Sequence, residues 1–389
     1  MLRWAELGGR GWGRAVGGGP WGRSAVGAAA RAGLGWALAC AALWWLSGCG
    51  YAVEEHRWDR RYVELERLMD HGQILEARAG FEALQHQTTR PADRRMIEYR
   101  LAVLLEREGR WREAVRAYEL LWNEGERDEI SGHAVFRAAQ VMYAHLGAPE
   151  EGLRLWEGLL KALPEVVAAD RALQAILAHW EGQGDTQMAL RVIDRLYRSL
   201  RETRIGDNLL FSRAAISRRR GEGSVAIVAY ERLLERYPTS GLRDDARWLM
   251  AEIHREAGRH EAALIQLKLL AEDREVSWQL GSYDSELTDD ARFRRGVIYL
   301  DDLRDPTGAE VEFARFVREF PESLLRDDAR WNIVQARLRR GDGAAAARGC
   351  EALVREEPRS RWVDDCHRVV EALGQGASAS SMSGRAVVE

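Results

Sequence analysis

The sequence contains no group of residues typical of a catalytic or metal site. Its nine histidines are scattered over 389 residues, and no serine, cysteine or histidine set has the spacing that nucleophilic catalysis or metal binding requires. His254 and His260 are six residues apart, which places them on different faces of a helix. No glycine cluster follows a predicted strand as a phosphate-binding loop would. These absences favour a protein without enzymatic activity or cofactor.

A basic surface and a long apolar run are also lacking. Residues 1–48 hold five arginines and one glutamate, so the formal net charge of the remaining chain is −8, against −4 for the whole. This balance disfavours a nucleic-acid partner. The uncharged apolar stretch at residues 32–46 has 15 residues, fewer than the roughly 20 that a transmembrane helix needs. Its length suits the core of a signal peptide.

The end of this stretch resembles a bacterial lipobox. Arg31 precedes the stretch, and the string LSGC follows at residues 46–49. The resemblance implies a lipoprotein signal peptide over residues 1–48, lipid attachment at Cys49, and a lipidated linker over residues 49–54. Two or more acyl chains anchor a protein stably, and Gly50 implies delivery to the periplasmic face of the outer membrane, with the inner membrane as the alternative. An uncleaved signal anchor and a cysteine without a role are the alternative interpretations.

Cysteine is scarce in the rest of the chain, where only Cys350 and Cys366 occur. They lie eight residues before and eight residues after Pro358. In a helical hairpin that turns at this proline, both would lie about 12 Å from the loop, at 1.5 Å per residue. A disulfide is geometrically possible, and an oxidising periplasm would permit it. The alternative is that both side chains only fill the core.

A glycine followed five residues later by a small residue recurs along the remaining chain. The glycines are at positions 72, 109, 147, 184, 221, 258 and 341. The small residues are Ala77, Ala114, Gly152, Ala189, Ala226, Ala263 and Ala346, and Ala309 occupies this position in a unit without the glycine. Their spacings are 37, 38, 37, 37, 37, 46 and 37. This period indicates eight copies of one structural unit.

Each copy has the pattern of two helices joined by a tight turn. Large apolar residues lie four and seven positions after the small residue, as Phe313 and Phe316 do after Ala309, and these offsets form one buried helical stripe. The glycine suits the turn because a left-handed residue there costs little without a Cβ. Prolines lie twelve residues after four of the small residues, at positions 164, 238, 321 and 358. They predict the end of the second helix.

Near-identical strings open several copies. LRDDARW occurs at residues 242–248 and again at 325–331, and TDDARF lies between them at 288–293. These strings indicate internal duplication. Because carboxylates favour the positive end of a helix and accept its free N–H groups, we expect Asp244, Asp289 and Asp327 to cap the first helix of their copies.

With these features, residues 55–373 resemble the tetratricopeptide repeat family. Residues 230–264 look most like repeats of periplasmic Tol-Pal coordinator and outer-membrane assembly lipoproteins. The resemblance implies an all-α fold, a right-handed superhelical solenoid of about eight helical hairpins that ends in a capping helix over residues 359–373. The small and polar tail at 374–389 is predicted to be disordered.

Two features predict a surface for protein partners. Five copies carry an aromatic residue about ten positions before the glycine position: Tyr99, Phe211, Trp248, Phe293 and Trp331. In the family this part of the first helix lies near the concave face, where aromatic rings bind partner segments, although core packing is the alternative. The spacing of 46 reflects an insertion at residues 271–290, which adds Trp278 and Tyr283 as candidates. A solvated acidic spacer is the alternative there.

The sequence therefore predicts a non-catalytic scaffold or adaptor of the bacterial cell envelope. Its partners would be envelope proteins and, through the lipid anchor, the membrane, with no nucleic acid and no small-molecule substrate. The resemblance implies a role in outer-membrane assembly, envelope and division coordination, or a secretion or pilus system. The alternative is an accessory component or cryptic hydrolase of peptidoglycan metabolism that uses the acids Asp284, Glu286, Asp289 and Asp290.

Overall fold

The computed structural model describes residues 59–383, apart from 125, 273, 278–280 and 285–286. For residues 124, 274–277, 281–284 and 376–383 only the backbone is described. The predicted signal peptide, Cys49 and the linker that follows it lie outside these residues. The chain divides into two compact units after Gly80, and each unit is considered by itself.

The described chain is almost entirely helical. The first unit contains α1 (residues 59–70) and the start of α2 (Ile74–Gln87). The second unit continues with α3 (Pro91–Arg107), α4 (Trp111–Glu124), α5 (Glu129–His145), α6 (Pro149–Ala162), α7 (Val167–Gly182), α8 (Thr186–Leu200), α9 (Ile205–Arg219), α10 (Gly223–Arg236), α11 (Arg243–Glu256), α12 (His260–Glu272), α13 (Thr288–Val297), α14 (Pro306–Glu319), α15 (Arg326–Arg339), α16 (Gly343–Glu356) and α17 (Val363–Ser383). Each helix of the second unit packs on the next one along the chain. This order confirms the predicted all-α solenoid of helical hairpins.

The turn between the two helices of each hairpin has the predicted left-handed residue. Positive φ angles between 66° and 78° occur at all seven glycines of the repeat pattern: Gly72, Gly109, Gly147, Gly184, Gly221, Gly258 and Gly341. In the copy that lacks the glycine, Arg304 takes the same conformation with φ at 53°. The repeat period therefore fixes the turn even where the favourable residue is missing.

Arg304→Gly is expected to raise the free energy of unfolding by about 0.5–1 kcal/mol, because a left-handed backbone disfavours any residue with a Cβ. Arg304 is exposed and makes no ion pair within the described residues, so little is lost with its side chain. Urea unfolding followed by circular dichroism measures the change. The reverse substitution, Gly221→Arg, is the matched control and should lower stability by about 1 kcal/mol. A destabilising Arg304→Gly would contradict this interpretation.

The predicted core stripe is buried throughout. All seven alanines of the small-residue series have no exposed surface, and Gly152 is buried as well. The large residues four and seven positions later are at most 6% exposed, from Phe81 and Leu84 to Cys350 and Leu353. The prolines also have their predicted effect, because α6, α10, α14 and α16 each end two residues before one. The second helix of every hairpin thus buries the same face.

Two hairpins contain one additional residue at the end of their first helix. Regular hairpins close with an N–H group bonded to the carbonyl five residues earlier, as Glu222 bonds Ser217. In α5 the corresponding bond reaches six residues back, from Ala148 to Met142, and after α13 the same pattern joins Asp305 to Tyr299. The second case includes a π-helix at Ile298–Asp302. A π turn is the usual way for a helix to accommodate one extra residue.

This extra residue divides the long spacing of 46 into two parts. Phe293 follows Trp248 by 45 residues, and Arg304 follows Phe293 by 11 residues where the regular distance is ten. Eight residues of the excess therefore lie between α12 and α13, and one lies in the π-helix. The prediction that the insertion at residues 271–290 accounts for the whole difference between the spacings of 46 and 37 was therefore wrong by one residue.

The insertion itself contains a short antiparallel hairpin. Strands β1 (Arg274–Ser277) and β2 (Gly281–Asp284) pair with Arg274 opposite Asp284 and Ser277 opposite Gly281. Trp278 lies outside the described residues, and only the backbone of Tyr283, in β2, is described. The predicted roles of Trp278 and Tyr283 therefore stay predictions.

The last helix is longer than the sequence predicts. The capping helix was expected to end at Leu373, but α17 continues to Ser383, and residues 384–389 lie outside the described chain. The segment after Leu373 contains no proline, so nothing in its backbone chemistry prevents the helix from continuing. None of the helices in the described chain has the length and apolar character required to cross a membrane.

Candidate partner-binding face

The first helices of successive hairpins in the second unit form one connected face. We call this surface the first-helix face and define it by α3, α5, α7, α9, α11, α13 and α15. Side-chain contacts link each of these helices to the next. They are Glu106 with Arg137, Tyr143 with His179, Glu181 with Arg219, Arg218 with Glu256, Glu252 with Arg294, and, from the π-helix, Asp301 with Arg339. The ion pairs fix neighbouring repeats in a common register.

The most buried of these links is a three-residue network between α3, α4 and α5. The Arg137 guanidinium donates two hydrogen bonds to the Glu106 carboxylate, both of 2.9 Å. The Tyr118 hydroxyl donates to the same carboxylate at 3.0 Å. Burial raises the pKa of the Tyr118 phenol well above its usual range, so Tyr118 remains a hydrogen-bond donor at neutral pH. A bidentate arginine pair of this kind also fixes geometry.

The five predicted aromatic residues lie on this face and are all partly buried. Most of the rings contact an aromatic residue of their own second helix. The ring centroids are 5.8 Å apart for Tyr99 and Tyr118, 5.5 Å for Phe211 and Tyr230, and 5.3 Å for Phe293 and Phe313. The core-packing alternative therefore describes one side of these rings. Their remaining exposed surface belongs to the face.

The two tryptophans differ because each contacts the following repeat. The Arg294 guanidinium of α13 lies 5.3 Å from the Trp248 ring centroid, in cation–π geometry. Trp331 stacks on Trp362, with centroids 5.0 Å apart and an interplanar angle of 10°. The Trp362 indole N–H donates to the Asp328 carboxylate at 2.6 Å. These aromatic residues thus join repeats as well as helices.

Two further aromatic residues occupy the same position and were missed by the sequence analysis. Tyr62 lies ten residues before Gly72, and Phe136 lies 11 residues before Gly147, in the other hairpin with an extra residue. The Phe136 ring centroid is 6.0 Å from that of Trp156. The spacing of 38 at this copy was the signal that could have identified Phe136, since Phe293 has the same distance to its turn.

A second row of residues on the first-helix face changes charge along the chain. It lies three positions before the aromatic position, and this distance places both rows on one side of a helix. From α3 to α15 its members are Met96, His133, Arg171, Asn208, Asp245, Asp290 and Asp328. Arg171 and Asp245 are exposed and make no ion pair within the described residues. This row is therefore basic at Arg171 in α7 and acidic at Asp245 and Asp290 in α11 and α13, while Asp328 in α15 is paired with Arg361.

The pKa shifts of this row agree with its charge pattern. Burial lowers the pKa of His133, and the nearby guanidinium groups of Arg171, Arg100 and Arg137 lower it further against the opposing Glu129. Burial raises the pKa of Asp290, and Asp289 raises it further while Arg294 opposes the shift. Burial is the largest cause of both shifts, and because the lowered pKa leaves His133 uncharged at neutral pH, the like-charge repulsion in this row lies between Asp289 and Asp290. A cationic partner residue would relieve this repulsion.

The acidic pairs that open several copies bind the next repeat. Asp289 is not the N-cap of α13, which is Leu287 without a side-chain cap bond, but one of its carboxylate oxygens accepts the first-turn N–H of Asp290 at 2.9 Å. The other accepts the Ser323 hydroxyl at 2.7 Å. The same bond joins Asp207 to Ser240 and Asp327 to Ser360, each at 2.6 Å. The prediction that Asp244, Asp289 and Asp327 cap these helices was therefore wrong in position, because the N-caps are Leu242, Leu287 and Leu325. Asp289 and Asp327 still accept an N–H of the first turn.

These bonds bear on the hydrolase alternative. Asp289, one of its proposed acids, uses both oxygens in hydrogen bonds within the protein. The side chains of Asp284 and Glu286 lie outside the described part of the chain. Among the described residues, no group of three or more metal-binding side chains is close enough to hold an ion. No observation in the described chain favours a catalytic centre.

The two cysteines are brought together across the last pair of helices. Cys350 of α16 and Cys366 of α17 are free thiols without exposed surface. The two side chains belong to one buried cluster and line the same cleft, and burial raises the pKa of both thiols. The predicted juxtaposition is therefore present, while the predicted bond itself is untested.

The comparisons with known proteins give one family match. Residues 290–323 match the model of the tetratricopeptide repeat, and no curated protein matches the chain. Among solved structures, the MamA protein is 16% identical over 49% of this chain and 92% of its own, with a TM-score of 0.35. A tetratricopeptide repeat protein from Parabacteroides merdae is 15% identical over 72% of this chain and 98% of its own, with a TM-score of 0.32.

A third solved structure is the C-terminal part of a repeat-containing protein from Cytophaga hutchinsonii. It is 11% identical over 69% of this chain and 98% of its own, with a TM-score of 0.41. The matched segment at 290–323 comprises α13 and α14 with their turn. The other described hairpins repeat its turn conformation and its buried stripe. Residues 290–323 therefore resemble a tetratricopeptide repeat, within a described array of helical hairpins that share its turn and its buried stripe.

Proposed function

We propose that this protein is a non-catalytic scaffold of the bacterial cell envelope that binds a protein partner along the first-helix face. The charge reversal on this face, from Arg171 to Asp245 and Asp290, is the observation that carries the proposal. A tetratricopeptide array offers an extended surface to partner segments. The partner segment would carry acidic residues where it meets α7, and basic residues where it meets α11 and α13.

The partly exposed aromatic rings supply affinity in this arrangement, and the charges supply direction. Aromatic side chains contribute strongly to binding because they bury a large area with few rotatable bonds. Trp248 and Phe293 each lie three residues after an acidic member of the row. A basic partner residue beside an apolar one would match both positions. A partner bound in the reverse direction would place like charges opposite each other.

A site-specific cross-link tests the location of binding. A photoreactive amino acid at position 245 is expected to give a defined adduct in cells, since Asp245 is exposed on the first-helix face. The same amino acid at position 235 is the control, because Glu235 is exposed on the second helix α10. Equal adducts at both positions, or none at 245, would contradict binding along this face.

Charge reversal tests the chemistry of recognition. Asp245→Arg combined with Asp290→Arg is expected to weaken the cross-linked complex at least tenfold, about 1.4 kcal/mol or more, because two attractive pairs become repulsive. Glu235→Arg with Glu261→Arg makes the same change in net charge on exposed positions of second helices. The control pair should leave the complex unchanged. Equal losses for both pairs would indicate a general charge effect instead of a site.

Lipid attachment at Cys49 supports the proposed location at the periplasmic face of the outer membrane. The support is the apolar stretch at 32–46 that ends in LSGC. Wild-type protein is expected in the membrane fraction, and Cys49→Ala is expected to release it or to leave it unprocessed. Wild-type protein found free in the cytoplasm would contradict the lipoprotein assignment without affecting the binding face. Roles in outer-membrane assembly, division or secretion are distinguished by the identity of the cross-linked partner.

A further inference from the structure

We propose that Cys350 and Cys366 form a disulfide that fastens the last helix of the array to the helix before it. Both side chains belong to one buried cluster with Val334, Ala346 and Leu353. Both also line one cleft between α16 and α17, which pack on each other. A disulfide requires two Cβ atoms about 3.5–4.5 Å apart, and a shared cluster on two packed helices favours such a separation.

The location of the pair gives the bond a mechanical role. The helix α17 is the last described helix of the array, and within the described residues its main contacts are with α16. An open cleft of about 450 Å³ lies between α16 and α17, lined by both cysteines, Val354, Val370 and His367 among others. A solenoid unfolds most easily from its ends, because a terminal element contacts only one neighbour. A covalent link at this position restricts such fraying.

The same link also supports the end of the first-helix face. Trp362, one residue before α17, stacks on Trp331 and bonds Asp328. Detachment of α17 would remove these contacts from the last hairpin. The disulfide therefore helps to hold Trp362 against Trp331 and Asp328 at this end of the face.

The reaction requires an oxidant, which we identify as a protein disulfide of a thiol oxidoreductase. One cysteine, as thiolate, attacks the oxidoreductase disulfide and forms a mixed disulfide. The second thiolate then attacks the sulfur of the first cysteine and releases the oxidoreductase as a dithiol. The two cysteines lose two protons and two electrons, and the oxidoreductase gains them. Burial of the thiols and the adjacent Glu351 and Asp365 disfavour the thiolate, so oxidation requires transient opening of α17 or occurs during folding.

Peptide mapping after oxidation tests the bond directly. The full chain is unfolded, refolded in buffer with equal concentrations of oxidised and reduced glutathione, alkylated and cleaved with trypsin. Cys350 lies in peptide 349–355, Cys366 in peptide 362–368, and the other two cysteines share peptide 32–57. We expect peptides 349–355 and 362–368 to be joined. Recovery of both as alkylated free thiols, or joined mainly to peptide 32–57, would overturn the proposal.

Hydrogen exchange tests the mechanical role. The disulfide closes a loop of about 15 residues. It is expected to lower the rate at which the α17 amides exchange through local opening by a factor on the order of 100. Reduction of the same sample should restore fast exchange in α17 and leave α9 and α10 unchanged. Cys350→Ala, which keeps Cys366, should show fast exchange under both conditions. Identical exchange of the oxidised and reduced wild type would refute the fastening role even if the peptides are joined.

A further experiment tests the disulfide separately from the proposed location in the cell envelope. Protein isolated from the periplasm and protein retained in the cytoplasm by deletion of residues 2–48 are mapped in parallel. The joined peptides are expected only in the exported form, because the cytoplasm keeps thiols reduced. Exported protein with both thiols free would contradict the inference. Failure of export, with joined peptides after refolding, would contradict only the proposed location.

Discussion

Replacing Phe313 by alanine is expected to lower the free energy of unfolding by about 3–5 kcal/mol, the range for removal of a buried aromatic ring. Phe313 has no exposed surface and fills the core between α13, α14 and α15. Its ring lies 5.3 Å from that of Phe293, so the cavity would border a second aromatic residue. Calorimetry and urea unfolding measure the loss. Val311→Ala on the same helix is the control, because Val311 is 62% exposed and should change stability by less than about 0.5 kcal/mol.

The same site allows a test of mechanism by a double-mutant cycle. A Cβ atom built on Gly296 would lie 2.7 Å from the Phe313 ring, so Gly296→Ala should cost about 1–3 kcal/mol through overpacking. When Phe313 is first changed to leucine, the ring that causes the clash is absent. The cost of Gly296→Ala should then fall by at least about 1 kcal/mol. Additive effects would show that Gly296 is required for another reason.

The repeat architecture could be predicted from the sequence because local physics determines it at each copy. A left-handed turn residue, a small residue at the helix crossing and a buried stripe after it each restrict the choice of amino acid. Their recurrence predicted the turn at Arg304 even though this copy has no glycine there. The predicted stripe is buried in every described hairpin. The turn, the helix crossing and the buried stripe depend on residues close together in the chain, so they could be predicted from the sequence.

Features that depend on how successive repeats align were harder to predict from the sequence. The spacing of 46 combines an eight-residue insertion with a one-residue π-helix, and a single number cannot distinguish them. The hydrogen bonds from Leu303 and Asp305 to carbonyls five and six residues earlier reveal the second part. The same extra residue in α5 shifted Phe136 away from the expected distance. Because of this one residue, Phe136 was not recognised as an equivalent of the five predicted aromatic residues.

The candidate site could be predicted only in part for the same reason. The sequence identified five aromatic positions, but the charge reversal from Arg171 to Asp245 and Asp290 becomes visible only after the repeats are aligned. A recurring serine two residues after Pro238, Pro321 and Pro358 was also present in the sequence. Its bond to an aspartate of the preceding repeat required the structure. Trp278 and Tyr283 stay predictions.

Gly152→Ala is expected to lower the free energy of unfolding by about 1–3 kcal/mol, although the corresponding residue is alanine in the seven other copies. Helix propensity alone predicts the opposite sign, a gain of about 1 kcal/mol. A Cβ atom on Gly152 would lie 2.7 Å from the carbonyl oxygen of Ala139 and 3.1 Å from the Cβ of Tyr143. Because the first contact is with backbone, α5 and α6 would have to move apart.

Gly158 on the same helix provides the matched control. It is exposed, and nothing lies within 4 Å of a Cβ built on it, so Gly158→Ala should raise stability by about 0.5–1 kcal/mol. Urea unfolding of both variants measures the two signs. A stabilising Gly152→Ala would show that α5 and α6 can separate without loss of packing.

The expected sign at Gly152 follows from the extra residue in α5. Only the hairpins of α5 and α13 have the wide final turn among the described first helices. Each of these hairpins also has a glycine at the helix crossing, either Gly152 on the second helix or Gly296 on the first, at the position that Ala139 occupies in α5. We infer that the extra residue brings the paired helices closer at this point, so that one partner must lack a side chain. Opposite signs for Gly152→Ala and Gly158→Ala, together with the coupling between Gly296 and Phe313, would establish this requirement in both hairpins.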